Sequence, residues 1–365
     1  MSVLSQALKS RGLSWRDTAA RAGVTESRLK ELANGERASL REMRNIASAL
    51  SIPVVALLPA ESLPTSSVLF RRNNASRVLT TAELTIAQQV DDLLPLVRNK
   101  EPNRTLTQLR ELGNLDPEQL AAHVRRALGY DNEEPSLDLA SRMSEAFNIA
   151  VCYARDSRIE GASVIARGYP FAFIGARKFK PRSLFTLAHE LGHLIAHHAE
   201  VGNNPIVDEG DIGRINEPAD PIEAYADKFA SSLLMPGLGT VKAIISIREH
   251  FNQSTAQLSD IHLLFAARFF GVSFEVAARR CEALDLIPRG AALGLYQVIC
   301  DSYQSPEQRA DEALVPSRPA IDIQTSNWLI RSAQQLVANG DLSLGRAAEV
   351  LNIRKNQLRK PALSH

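Results

Sequence analysis

Residues 185–198 read FTLAHELGHLIAHH and hold four of the chain's eight histidines. Within them His189, Glu190 and His193 form H-E-x-x-H. Four residues make about one helical turn, so a helix here projects both imidazoles from one face, with Glu190 one step round. The flanking Leu187, Ala188, Leu191, Leu194 and Ile195 are apolar, as a buried helix requires. Neutral imidazoles bind Zn2+ at about 2.0–2.1 Å, and a catalytic site keeps one position open for water. The ion lowers that water's pKa, and a neighbouring glutamate can take its proton during attack on a carbonyl. The stretch therefore predicts a helix that binds Zn2+ through His189 and His193, with Glu190 as general base.

Such a site needs a third protein ligand. His197 lies near the same face, but each further turn moves about 5.4 Å along the axis, too far for one ion on a straight helix. The longer H-E-x-x-H-x-x-G-x-x-H pattern wants a histidine where this chain has Ala199, and there is no glycine at 196. His197 and His198 are thus expected near the helix C-terminus, where their partial charge suits the dipole. The next helical stretch, PIEAYADKFASSLLMP (221–236), offers Glu223 and Asp227 one turn apart. Glu223 can supply the third ligand. Asp227 can accept a hydrogen bond from a ligating imidazole and hold its tautomer. Tyr225, two residues from Glu223, is expected to point to the other side of that helix.

Upstream, IAVCYA (149–154) and FAFIGA (171–176) are short, apolar and β-like, with Gly161 and Gly168 between them, which predicts a small sheet. Residues 200–220 are acidic and rich in Gly, Pro and Asn, and read as a loop. Residues 82–97, 105–128, 136–147 and 240–287 read as helical, 301–320 as a proline-bearing linker, and 325–360 as two or three closing helices.

FTLAHELGH followed by E-x-x-A-D-x-F-A-x-x-L-L-M-P (223–236) resembles the ImmA/IrrE-type metallopeptidases. The likeness extends through IEGASVIARGYPFAFIG (159–175) and HLLFAARFFGVSFEVAARRCEALDLI (262–287), and so spans roughly 140–290. It implies His189, His193 and Glu223 as zinc ligands and Glu190 as base. Many relatives carry Asn where this chain has Asp227.

The front of the chain has a different cadence. LSWRDTAARAG and TESRLKELANG, with Gly23 and Val24 between them, fit a helix-turn-helix over residues 13–35. Ala19 and Ala20 are small enough for a close crossing, Leu29 and Leu32 face inward, and Thr25 can cap the second helix. That leaves Thr25, Glu26, Ser27, Arg28 and Lys30 for base edges and phosphates, with Arg37 and Arg41 beyond. The segment resembles XRE-type regulators, with SLREMRNIASALSI (39–52) closing the unit. Trp15 stands where relatives often place a polar phosphate contact.

Composition bounds the rest. The net charge of +1 argues against a global polyelectrolyte partner, although residues 1–50 carry nine Lys/Arg against five Asp/Glu and residues 200–223 one against seven. Cys152, Cys281 and Cys300 are odd in number and share no metal-type spacing, which fits a reducing cytoplasm. The N-terminus lacks an apolar signal core, and no apolar run approaches a membrane span.

The expected fold is α+β: an all-helical helix-turn-helix domain (1–60), a helical connecting region (61–140), a mostly helical zincin-like metallopeptidase domain with a small sheet (141–290), and a linker and helical tail (291–365). The expected function is a cytoplasmic, dimeric, DNA-binding regulator that reads a pseudo-palindromic operator. Its zinc endopeptidase would cleave a specific repressor or antitoxin, or the chain itself. The alternative is a transcription factor or antitoxin whose zinc-binding fold is sensory or structural.

Overall fold

The computed structural model describes residues 4, 8, 13–34, 36, 38–50, 57, 80–98, 100–101, 103–198, 204–210, 212–216, 220–251 and 258–359. Arg37 and, Leu57 apart, residues 53–67 with Pro53, Pro59 and Pro64 lie outside them. The fold is α+β, and the chain divides into two compact units, Met1–Pro95 and Leu96–His365.

The first unit is helical. Its α1 (Trp15–Ala22), α2 (Glu26–Ala33) and α3 (Leu40–Ala49) each begin at a polar cap. Ser14, Thr25 and Ser39 accept the first free N–H groups of these helices. Gly23 ends α1 with φ +66°, a left-handed conformation that glycine adopts at no steric cost. The helices close around Leu4, Leu8, Ala19, Ala22, Leu29, Ile46 and Leu50, all buried. A longer helix, α4 (Thr81–Val97), follows and contains Pro95.

The second unit is built round the histidine-bearing helix. It runs through α5 (Arg104–Glu111), α6 (Pro117–Ala127), α7 (Leu139–Phe147), β1 (Ala150–Tyr153), β2 (Gly161–Ala166), β3 (Tyr169–Ile174), α8 (Lys180–Gly192) and β4 (Ile206–Asp208). Then come α9 (Pro221–Leu234), α10 (Gly237–His250), α11 (Asp260–Phe270), α12 (Phe274–Ala283), α13 (Ala291–Tyr303) and α14 (Pro306–Glu312). The chain closes with α15 (Asn327–Ala338), α16 (Leu344–Leu351) and α17 (Lys355–Arg359).

Several of these elements depart from expectation. Residues 206–208, read as loop, form β4 on the sheet edge. Residues 105–128 are two helices, because Asp116 caps a new one with Pro117 in its first turn. Residues 240–287 break after His250 and at Gly271, whose φ of +72° ends α11. The 301–320 segment holds α14, because Pro306 starts a helix capped by Ser305 rather than spacing out a linker.

The four-stranded sheet has the order β1-β3-β2-β4. β1 pairs with β3 in parallel, and β2 runs antiparallel to both β3 and β4. All of β2 is buried, so neither of its faces meets water. α8 packs against β2 and β3 on one side and α9 on the other, and every residue from Ser183 to Gly192 is buried. Gly192 allows the close helix crossing: a β-carbon there would lie 2.9 Å from the Phe229 ring.

Two buried arginines latch the end of α9. Arg125 donates to the Leu233 carbonyl and the Ser136 hydroxyl, each at 2.7 Å. Arg280 donates to the Met235 carbonyl at 2.8 Å and pairs with Glu118 at 2.7 Å. With α8 buried against the sheet and α9, and the end of α9 latched, the side chains between the two helices have little freedom to move.

Candidate functional site

His189 on α8 and Glu223 on α9 meet across the helix pair. His189 Nε2 lies 3.1 Å from Glu223 Oε2 and 2.9 Å from His193 Nε2. His193 Nε2 lies 3.5 Å from Glu223 Oε1. On its other nitrogen, His189 faces Asp227 Oδ1 at 3.0 Å. A carboxylate only accepts, so that contact places the proton of a neutral His189 on Nδ1 and turns the Nε2 lone pair toward Glu223 and His193.

The arrangement asks for a cation. Burial alone would lower the pKa of His189, but hydrogen bonds to Asp227 and Glu223 outweigh it and raise it well above the usual imidazole range. His193, buried and next to His189, is instead held down at about 3 despite Glu223. Glu223 sits well below the carboxylate range because the hydrogen bonds of the two imidazoles overcome its burial. Four ligands on one Zn2+ lie roughly 3.3–3.5 Å apart at tetrahedral corners. The separations here, 2.9, 3.1 and 3.5 Å, bracket that value, so the donor set fits the ion.

A residue outside the sequence reading joins this group. Asp208, on β4, brings a carboxylate oxygen to 3.8 Å from His189 Nε2. Together His189, His193, Asp208 and Glu223 present ligand atoms all within 4.8 Å of one another. Burial raises the Asp208 pKa to about 7, with His189 opposing and Glu223 adding to the shift. The acidic segment 200–223 was visible in sequence, but nothing local singles out one of its acids.

Glu190 is fully buried, and neither of its carboxyl oxygens has a hydrogen-bond partner among the described residues. Burial, reinforced by the neighbouring Asp208, raises its pKa well above the usual range. The β2 backbone runs against it at Gly161, where a β-carbon would fall 2.1 Å from Glu190 Oε1. A buried carboxyl left unpaired is costly unless it has a use.

The end of the helix follows a wider spiral. Residues His193–His197 form a π-helical turn. This brings the Nδ1 atoms of His193 and His197 within 2.8 Å. His197 therefore backs His193 rather than joining the cluster, and His198 reaches Ser163 at 3.2 Å. Tyr225 turns away from Glu223 and donates to the Leu115 carbonyl at 2.7 Å. Arg279 on α12 pairs with the second oxygen of Asp227 at 3.3 Å, a partner that sequence spacing did not suggest.

In the first unit, Thr25, Glu26, Ser27, Arg28 and Lys30 occupy the cap and first turns of α2. Thr25 accepts from the Arg28 backbone N–H at 3.1 Å. Lys30 pairs with Glu26 at 2.6 Å and Ser27 donates to Glu31 at 3.2 Å. Arg28 reaches across to Glu42 on α3 at 2.9 Å. Hydrogen bonds from Arg28, then Ser39, pull the Glu42 pKa down to about 2. Trp15 is half-buried and packs on the core, so it adds apolar contact rather than a polar group.

Residues 144–282 match the family model of the IrrE N-terminal-like domain, peptidase family M78, and residues 4–57 match that of a helix-turn-helix. No curated protein matches the chain. The second unit thus carries a peptidase-type domain of a zinc-dependent, peptidase-like family, and the first carries a fold that implies DNA binding. The M78 match covers the whole cluster, including β2, β4 and Arg279. Among the described residues no single helix is long and apolar enough to cross a membrane.

Proposed function

We propose that this chain is a DNA-binding transcriptional regulator whose peptidase-type domain is a zinc-dependent endopeptidase acting on a specific regulatory protein, a repressor or antitoxin or the chain itself. In this reading residues 1–60 bind DNA through Thr25, Glu26, Ser27, Arg28 and Lys30 at the start of α2, and through Arg37, as a cytoplasmic homodimer on a pseudo-palindromic operator. Residues 61–140 connect, 141–290 carry the peptidase, and 291–365 form the linker and helical tail.

The observation that carries the proposal is the pairing of a converging His189–His193–Glu223 set with the buried, unpartnered Glu190 one residue away. When bound there, Zn2+ would supply a Lewis acid and an acidified water. His189, His193 and Glu223 would hold it, with Asp227 fixing the His189 ring. Glu190 takes the proton of the attacking water as its oxygen bonds to the peptide carbonyl carbon. Glu190 then delivers that proton to the leaving amide nitrogen as the C–N bond breaks, giving a carboxylate and an amine.

Comparison of new protein N-termini in cells carrying wild type or Glu190→Gln tests this. Termini present only with wild type would establish the endopeptidase and identify its substrate. Glu190→Gln should retain zinc and DNA binding. Identical termini under every condition, DNA damage and oxidative stress included, would reject proteolysis.

One observation favours a second reading, in which the metal fold is sensory or structural. Asp208 stands beside the other three ligand atoms, and closed four-ligand zinc sites are structural ones.

A further inference from the structure

Asp208 is held at the cluster by a short piece of strand. β4 has three residues, all half-exposed, whereas typical strands have about five or six. Its partner β2 is fully buried and runs beside Glu190. Gly161 is the point of contact on both sides. It approaches Glu190 within β-carbon clash distance, and it pairs across the ladder with Asp208. A chain lying antiparallel to β2 at this register therefore presents one residue directly to the ligand atoms. Peptides commonly bind a sheet edge in this way, their backbone completing the ladder. In this protein the edge is taken by Ile206–Asp208, paired through Ser163, Ala162 and Gly161.

The Asp208 side chain fits the same picture. Its Oδ2 atom is buried and has no hydrogen-bond partner among the described residues, yet it lies 3.8 Å from His189 Nε2. The carboxyls of Glu190 and Glu223 crowd this one, and a cation bound beside it would relieve that crowding. A zinc site with three protein ligands keeps a position for water, whereas one with four does not.

We propose that Asp208 is a fourth protein ligand of the metal held by His189, His193 and Glu223, and that β4 occupies the β2 edge where an extended substrate peptide binds. This rests on the endopeptidase reading above. The described arrangement is then a self-blocked state. An incoming peptide must displace Ile206–Asp208 from β2, and the same displacement removes Asp208 and opens the metal to water. The substrate class that follows is an unfolded or extended protein segment able to add a strand antiparallel to β2.

Asp208→Ala and the closer mimic Asp208→Asn, made in the full chain and each also combined with Glu190→Gln, test this. Zinc affinity, measured against a chromophoric chelator, should fall about tenfold or more in Asp208→Ala, the scale on which loss of a metal-site partner acts. Cobalt-substituted wild type should show a visible spectrum indifferent to acetohydroxamate. That of Asp208→Ala should change on adding it, because a position has opened. Cleavage of unfolded casein should rise severalfold in Asp208→Ala, less in Asp208→Asn, and vanish with Glu190→Gln. Unchanged zinc affinity and an unchanged cobalt spectrum in both variants would overturn the proposal, even if wild type cleaves casein in a Glu190-dependent way. Wild type cleaving as fast as Asp208→Ala would overturn it too. The metal changes without cleavage by any form would sustain the fourth ligand and sink the endopeptidase reading instead.

Discussion

Asp227 sits between two partners: one carboxylate oxygen lies 3.0 Å from His189 Nδ1 and the other 3.3 Å from Arg279. The aspartate and His189 are each 1% exposed, so solvent screens their contact little. The chain His189–Asp227–Arg279 links α8, α9 and α12 and fixes the direction of the His189 lone pair. Asp227→Ala should weaken zinc binding about 10–100-fold, the usual effect of losing a partner of a ligating histidine. Asp227→Asn should lose less, since its amide oxygen still accepts from Nδ1–H. Chelator competition measures both, and an Ala variant with wild-type affinity would show that Asp227 does not orient the ligand.

Gly161→Ala should separate metal binding from catalysis. The added carbon would fall 2.1 Å from Glu190 Oε1 and 2.7 Å from Thr186 Cγ2, so Glu190 or the β2 backbone must move. A displacement of this size at a reacting group costs about a hundredfold in rate. Zinc content should stay near one ion per chain, because His189, His193 and Glu223 are not displaced. Proteolysis that persists at the wild-type rate would remove Glu190 from the role of base.

The thiols should divide by burial. Burial pushes both Cys152 and Cys281 up to about 12, so neither is a thiolate near pH 8. Cys300 is only half-buried. Iodoacetamide at pH 8 should therefore label Cys300 in the native protein and all three cysteines after unfolding. Mass spectrometry that finds Cys152 alkylated in the native protein would contradict the packing around β1.

Acid should weaken the helix-turn-helix through Glu42. Its pKa is about 2 when folded, against about 4.5 for an unperturbed glutamate. A depressed folded pKa adds stability above the unfolded value, and the gain is lost as pH falls from about 4.5 through 2. Glu42→Gln should melt below wild type at pH 6, with the gap closing toward pH 2. A gap independent of pH would mean that the Arg28–Glu42 contact carries no net charge stabilisation.

Residues that act within a helical turn were readable from sequence. His189 and His193 share a face because helical periodicity puts them there, and the Glu223–Asp227 spacing works in the same way. Thr25 as a cap and Gly23 as a left-handed stop follow from the intrinsic preferences of those residue types. Whatever depends on distant segments meeting was not readable. Asp208 is one acid among seven in an acidic stretch, and only pairing of Ile206–Asp208 with β2 separates it from the rest. Arg279 finds Asp227 from 52 residues away, and Arg28 leaves the surface of α2 for Glu42 on another helix. The sequence by itself determined that His189 and His193 share one helix face and Glu223 and Asp227 another, because one helical turn is a local geometry. Only the tertiary structure brought these faces together and set Asp208 beside them, because that depends on helix packing and strand register between segments that nothing local aligns.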